Sequence, residues 1–128
     1  VQTEVCRLAN EVLKNYKGVY CIESFHPLAL MWYKKNRPDV MRGQLCEEYF
    51  RNEKYKGKIF HTILSYLPFN FLTRPDFIAY NHKHAHNISR RICKKMGALS
   101  VAYTIQSVEQ HETAKDKFDL FIFDSCIL

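Results

Sequence analysis

Several features are missing from this 128-residue chain, and each absence narrows the field. No stretch of eighteen apolar residues occurs, so no segment is expected to cross a bilayer as a helix. Glycine and proline number four each, and no repeat, low-complexity tract or Gly/Ser linker divides the chain. One domain, 1–128, is therefore expected. Cys-x-x-Cys spacing is absent, and the cysteines (Cys6, Cys21, Cys46, Cys93, Cys126) are odd in number. They read as reduced, buried thiols of a cytoplasmic protein rather than a secreted disulfide framework. The opening Val1-Gln2-Thr3-Glu4-Val5-Cys6 is polar and amphipathic, so no signal peptide is expected there. No Gly-x-Ser-x-Gly context surrounds Ser24, Ser65, Ser100 or Ser107, which argues against a nucleophile elbow. A Gly-rich phosphate loop and any nucleic-acid recognition motif are also lacking, so no nucleic-acid partner is expected. The length itself falls short of the roughly 250 residues of a closed eight-unit α/β barrel.

What is present is aromatic and basic. Nine Phe, eight Tyr and one Trp make up 14% of the chain, enough for a dense core or a stacking surface. The net charge of +6 favours anionic partners, although no basic run exceeds two residues. Hydrophobic residues at 47% suffice for a core without disulfide staples.

Hydrophobic periodicity divides the chain into alternating units. Val1, Val5, Leu8, Ala9, Val12, Leu13 and Tyr16 form the stripe of a leading helix over 1–18, closed by Gly18. Val19 to Ile22 suits a strand buried on both faces. Pro27 opens a helix running to Asn36, and Val40 to Cys46 is a second strand. Phe77 to Tyr80 is a third strand, and Asn87 caps a helix with a stripe of Ile88, Ile92 and Met96 ending at Gly97. Ser100 to Ile105 is a fourth strand. Ser107-Val-Glu-Gln110 fits a capping box for a helix to about Lys117, and Phe118 to Phe123 is the last strand. Strand and helix alternating in this way predict an α/β fold of βα units with a mainly parallel sheet. The five strands form either a small open sheet or part of a barrel, with five βα units over 19–128.

Two segments invite a chemical reading. His82, His84 and His86 alternate directly after the third strand, at the sheet edge where α/β proteins bind ligands. An extended backbone would aim all three one way, whereas a helix would pair only His82 with His86. Metal ligation and a solvated basic loop both fit, and no Cys, Asp or Glu adjoins the triplet to complete a ligand set. Ile59 to Leu72 is densely apolar behind Lys54, Lys56 and Lys58. It suits a core-covering helix and loop, or an interfacial segment on anionic lipid that would make the protein peripheral at a membrane.

Longer stretches carry a resemblance. Val19 to Leu45, with Glu23-Ser24-Phe25 at a strand end and Arg42-Gly43-Gln44-Leu45 in the next strand, closely resembles the glycerophosphodiester phosphodiesterase family. Val101-Ala-Tyr-Thr-Ile-Gln106 looks like that family's penultimate strand, with Tyr103 where Trp is usual, and Phe118 to Asp124 is similar to its closing strand. Phe71 to Tyr80 resembles the approach to its sixth strand.

The resemblance implies the C-terminal portion of a TIM (β/α)8 barrel, about strands four to eight. It implies metal-dependent hydrolysis of glycerophosphodiesters to glycerol 3-phosphate and an alcohol in the complete enzyme. A divalent cation, Mg²⁺ or Ca²⁺, would neutralise the phosphate, and two histidines would act as acid and base. The family's His-Arg-Gly, Glu-x-Asp, His-Asp and Glu-x-Lys motifs belong to its first three strands, and none occurs here. No catalytic residue and no bound cation are therefore expected of this chain alone. Ser24, Phe25, Arg42, Gln44, Tyr103 and Gln106 are implied to line the catalytic mouth beside Glu23, contacting phosphate or glycerol. An incomplete barrel also has open strand edges. They are expected to be covered by another copy, by the leading helix, or by a small sheet rearrangement.

Overall fold

The computed structural model describes residues 2–46 and 70–125. The elements run α1 (Gln2–Leu13), β1 (Cys21–Ser24), α2 (Pro27–Asn36), β2 (Met41–Cys46), α3 (Asn70–Thr73) and β3 (Phe77–Asn81). A 3-10 turn (His82–His84) follows, then α4 (Ile88–Lys95), β4 (Leu99–Ile105), α5 (Val108–Ala114) and β5 (Leu120–Phe123). The five strands pair in sequence order, every pair parallel. They curl into a half-barrel, as alternating βα units require. Most of the apolar Ile59–Leu72 segment lies outside the described residues, so only its end, in α3, is seen.

Alternation along the strands separates two faces. Leu45, Phe77, Ala79, Val101, Tyr103 and Ile122 pack together on the concave face. Cys46, Ile78, Tyr80 and Ala102 face the helices, meeting Ala85, Cys93 and Ala114. Gly43 makes this arrangement possible: a Cβ there would fall inside the Phe77 ring, its neighbour in register.

The N-terminal ends of the strands are stapled by two aspartates standing one residue before a strand. Asp76 accepts from Arg42 N at 2.8 Å and donates its own N–H to Arg42 O at 2.8 Å. Asp119 does the same to Ser100, at 2.8 and 2.7 Å. These staples explain why β5 begins at Leu120 rather than at Phe118. Phe118 is buried in the helix-side core before the strand starts.

Side-chain caps begin the helices. His26 Nδ1 accepts from Leu28 N, Asn87 Oδ1 from Arg90 N and Ser107 Oγ from Gln110 N. The expected capping box is displaced by one residue, because Gln110 Oε1 accepts from Gln106 N rather than from the N-cap itself. At the far end of α4, Gly97 adopts φ +95°, the left-handed turn that glycine makes without steric cost.

Two helix stripes face the other way from expectation. In α1 the buried residue is Cys6, against Ala29, Tyr33 and Val40, while Val5, Leu8 and Val12 are exposed, Val12 by 80%. The helix packs mainly on α2 among the described residues, and Arg37 Nη1 donating to Asn10 Oδ1 at 2.7 Å helps fix its rotation. Helix α1 also stops at Leu13, well before Gly18. In α4, Ile88, Ile92 and Met96 are exposed, because Arg90 takes the buried side. Its Nε and Nη2 donate to Ala85 O, and its Nη1 donates to Ser100 Oγ at 2.6 Å and Lys117 O at 3.1 Å. The guanidinium also lies 4.4 Å above the Phe118 ring. That many charge-assisted bonds outweigh the burial of an isoleucine stripe.

The first strand differs as well. Val19 is 97% exposed and lies outside β1, and Cys21 is exposed, so β1 is an edge strand rather than one buried on both faces. Among the described residues β1 pairs only with β2, and β5 only with β4.

Candidate functional site

In a parallel α/β sheet, the C-terminal strand ends and the loops beyond them form the ligand-binding rim. Four of the six sequence-proposed residues meet there. Gln44, 4% exposed, donates through Nε2 to the carbonyls of Ser24 at 3.1 Å, Phe25 at 3.2 Å and Leu45 at 3.0 Å. Its neighbours in sequence fix its direction. Gly43 and Leu45 face the concave side, so Gln44 faces the helices and reaches the rim by holding the β1–α2 turn. Ser24 Oγ accepts from His26 N at 3.0 Å, tightening the same turn.

That turn presents Phe25 to the concave side. Its ring meets Tyr103 edge-on, with centroids 6.1 Å apart and planes at 83°. Tyr103 Oη donates to Cys46 O at 2.9 Å, which ties β4 to the end of β2 across β3. Glu23 lies on the same face, opposite Gly43 in the register, and burial pushes its carboxyl above the ordinary value. The result is an aromatic wall with a carboxyl beside it at the rim of the half-barrel.

Two proposed residues stand apart from this group. Arg42 occupies the second position of β2, at the opposite end of the sheet. Its Nη1 donates to Pro38 O and Val40 O, and its Nη2 lies 3.6 Å from Asp76 Oδ2. The expectation that it lines the mouth is therefore corrected: Arg42 is committed to the staple at the N-terminal ends. Gln106 lies at the proper end, beyond β4, exposed and with its N–H donating to Gln110. No bond connects it to the other four among the described residues.

The divalent cation implied by the resemblance finds no ligand set. Among the described residues, no three His, Cys, Asp or Glu side chains are placed to share a metal ion. The histidine triplet is also divided, with His82 and His86 lining a cleft against α5 that His84 does not line. Lys117 and Glu109 complete that cleft from a distant part of the chain, and no local sequence signal announces them.

Comparison with known proteins decides the architecture. No family model matches the chain, and no curated protein does. A phosphodiesterase from Oleispira antarctica, solved in complex with its product sn-glycerol-3-phosphate, matches 95% of this chain with a TM-score of 0.69 and 16% sequence identity. The fold is a half-barrel of βα units, like part of that phosphodiesterase's structure. This chain spans 46% of that phosphodiesterase, so it corresponds to about half of the larger molecule. Its five strands account for five of the eight that a closed barrel needs. Among the described residues, no helix is long and apolar enough to cross a membrane.

Proposed function

We propose that residues 1–128 are one incomplete barrel domain, the C-terminal part of a metal-dependent glycerophosphodiester phosphodiesterase. In this reading Phe25 and Tyr103 form the wall against which a glycerol moiety packs, and Gln44 and Ser24 hold that wall in place. The acid–base histidines and the metal-binding carboxylates belong to three strands that this chain does not contain. The observation that supports the reading is the match to half of a phosphodiesterase solved with sn-glycerol-3-phosphate, together with the Phe25–Tyr103 pair at the rim of this chain's own half-barrel. The chain's own contribution is binding and orientation: aromatic edges exclude water on one side of the substrate, and the turn of 24–26 fixes their approach.

The experiment is a glycerophosphodiester hydrolysis assay with Mg²⁺ or Ca²⁺, run on two proteins. One is the 128-residue chain, and the other is a chimera in which the unmatched half of the Oleispira antarctica phosphodiesterase precedes Val1. The expected result is no turnover by the first and chelator-sensitive release of glycerol 3-phosphate by the second. Turnover by the isolated chain would place the chemistry in its own residues. A folded, monomeric but inert chimera would count against the phosphodiesterase reading.

A further inference from the structure

A second polar site lies outside the half-barrel's concave face. The loop after β3 and helix α5 flank an open cleft of about 450 Å³ whose lining includes His82, Lys83, His86, Glu109, Gln110 and Lys117. That volume suits a small organic ligand and exceeds what one water or ion would fill. Its charge is lopsided. Two ammonium groups and two imidazoles face a single carboxylate, and Glu109 is already engaged by the Ser107 side chain, which holds its carboxyl below the ordinary range. The positive groups crowd one another. Burial first, then the charges of Lys83 and His84, keep the half-buried His82 imidazole below its usual pKa.

The basic groups gathered here from two parts of the chain outnumber the one carboxylate beside them, an excess that a bound anion relieves. A metal ion would add to the crowding, and no ligand trio exists for one among the described residues. Phosphate suits the groups present: ammonium heads as point charges, imidazole N–H groups as directed donors, and the Gln110 amide N–H₂ as a neutral donor. Glu109 stands ready to accept from a hydroxyl on the same ligand.

We propose that this cleft, on the helix side of the loops beyond β3 and β4, is a phosphomonoester-binding site, and the proposal does not rest on the phosphodiesterase reading. Its occupant is either a small soluble phosphomonoester or the headgroup of an anionic phospholipid, and both share the same recognition chemistry.

The test follows the His82 and His86 ring protons of the intact 128-residue chain by NMR, because both rings line the cleft. Inorganic phosphate, glycerol 3-phosphate and sodium chloride are titrated separately, and vesicle cosedimentation is measured with phosphatidylcholine alone or doped with phosphatidic acid. The expected result is a saturable shift with phosphate or glycerol 3-phosphate, or binding only to the doped vesicles. Either is weakened about tenfold by Lys83→Gln and again by Lys117→Gln. Lys83→Arg and Lys117→Arg should retain binding, because they keep the charge. Shifts that chloride reproduces, that never saturate, or that persist unchanged in the Lys83→Gln/Lys117→Gln variant would overturn the proposal. So would the absence of both shifts and vesicle binding.

Discussion

Tyr103 reaches two strands that its own strand does not pair with: its ring meets Phe25 beyond β1 while its hydroxyl donates to Cys46 O at the end of β2. Ring and hydroxyl are therefore separable by mutation. Tyr103→Phe keeps the aromatic contact and should cost about 1 kcal/mol, the net worth of one hydrogen bond. Tyr103→Ala should cost about 3 kcal/mol, because it also removes the ring from the concave cluster. Urea denaturation of both variants measures the difference, and equal losses would deny the ring a role.

Gly43 should tolerate no side chain while Phe77 is present. Gly43→Ala is expected to destabilise by about 2 kcal/mol through overpacking. The double change Gly43→Ala/Phe77→Leu should recover part of that loss, and a double-mutant cycle reads the coupling directly.

The staple at Asp119 makes stability pH-dependent. Burial pulls this carboxyl up, but the Lys94 ammonium at 2.7 Å, the Ser100 N–H and the Arg90 charge together outweigh it and leave the pKa below the ordinary value. The folded state therefore holds its proton less tightly than the unfolded chain does. The contribution is present above about pH 4, the unfolded carboxyl's range, and is lost as pH falls through the lower folded value. Asp119→Asn should cost about 1 kcal/mol near neutral pH, the half-exposed ion pair being partly screened, and almost nothing in strong acid. Denaturation midpoints across the acid range check this convergence.

Arg90, buried under α4, should be sensitive to substitution. Arg90→Met would leave Ala85 O, Ser100 Oγ and Lys117 O without their shared donor, and a loss of about 3 kcal/mol is expected. Arg90→Lys should recover little, because one ammonium cannot reach all three acceptors in the geometry of a planar fork. Thermal melts of both variants provide the comparison.

The exposed α1 stripe predicts the opposite. Leu8→Glu and Val12→Lys should each change stability by no more than about 0.5 kcal/mol. Cys6→Ser, on the buried face, should cost about 1–2 kcal/mol by leaving a hydroxyl without a sure partner.

These contrasts mark where the sequence is readable. Strand order and helix alternation follow from periodicity, because each βα unit must bury its own stripe against its neighbours. Ser24, Phe25 and Gln44 come together because a turn and the adjacent strand lie close in the chain. Arg42 stands second in β2, so its place in the chain already puts it at the N-terminal end of the sheet, and the bond between Asp76 and the Arg42 N–H holds it there. The stripes of α1 and α4 show that period reveals an apolar face without saying which side meets the core. In α4 a buried arginine, invisible to a hydrophobicity pattern, chose the other side. The cleft that joins His82 to Lys117 depends on two loops meeting in space, a relation that no local spacing encodes.

All five strands run in one direction, so the sheet's two outer edges are different surfaces rather than copies of one. The β1 edge of one molecule can accept the β5 edge of a second with the parallel sense kept, and that joint leaves a fresh β1 and a fresh β5 at the ends. Such head-to-tail growth closes only where the turn per molecule divides a full circle. Five strands curved for an eight-strand barrel overshoot the circle at the second molecule. An edge-to-edge joint between two copies would therefore run head to tail rather than about a two-fold axis.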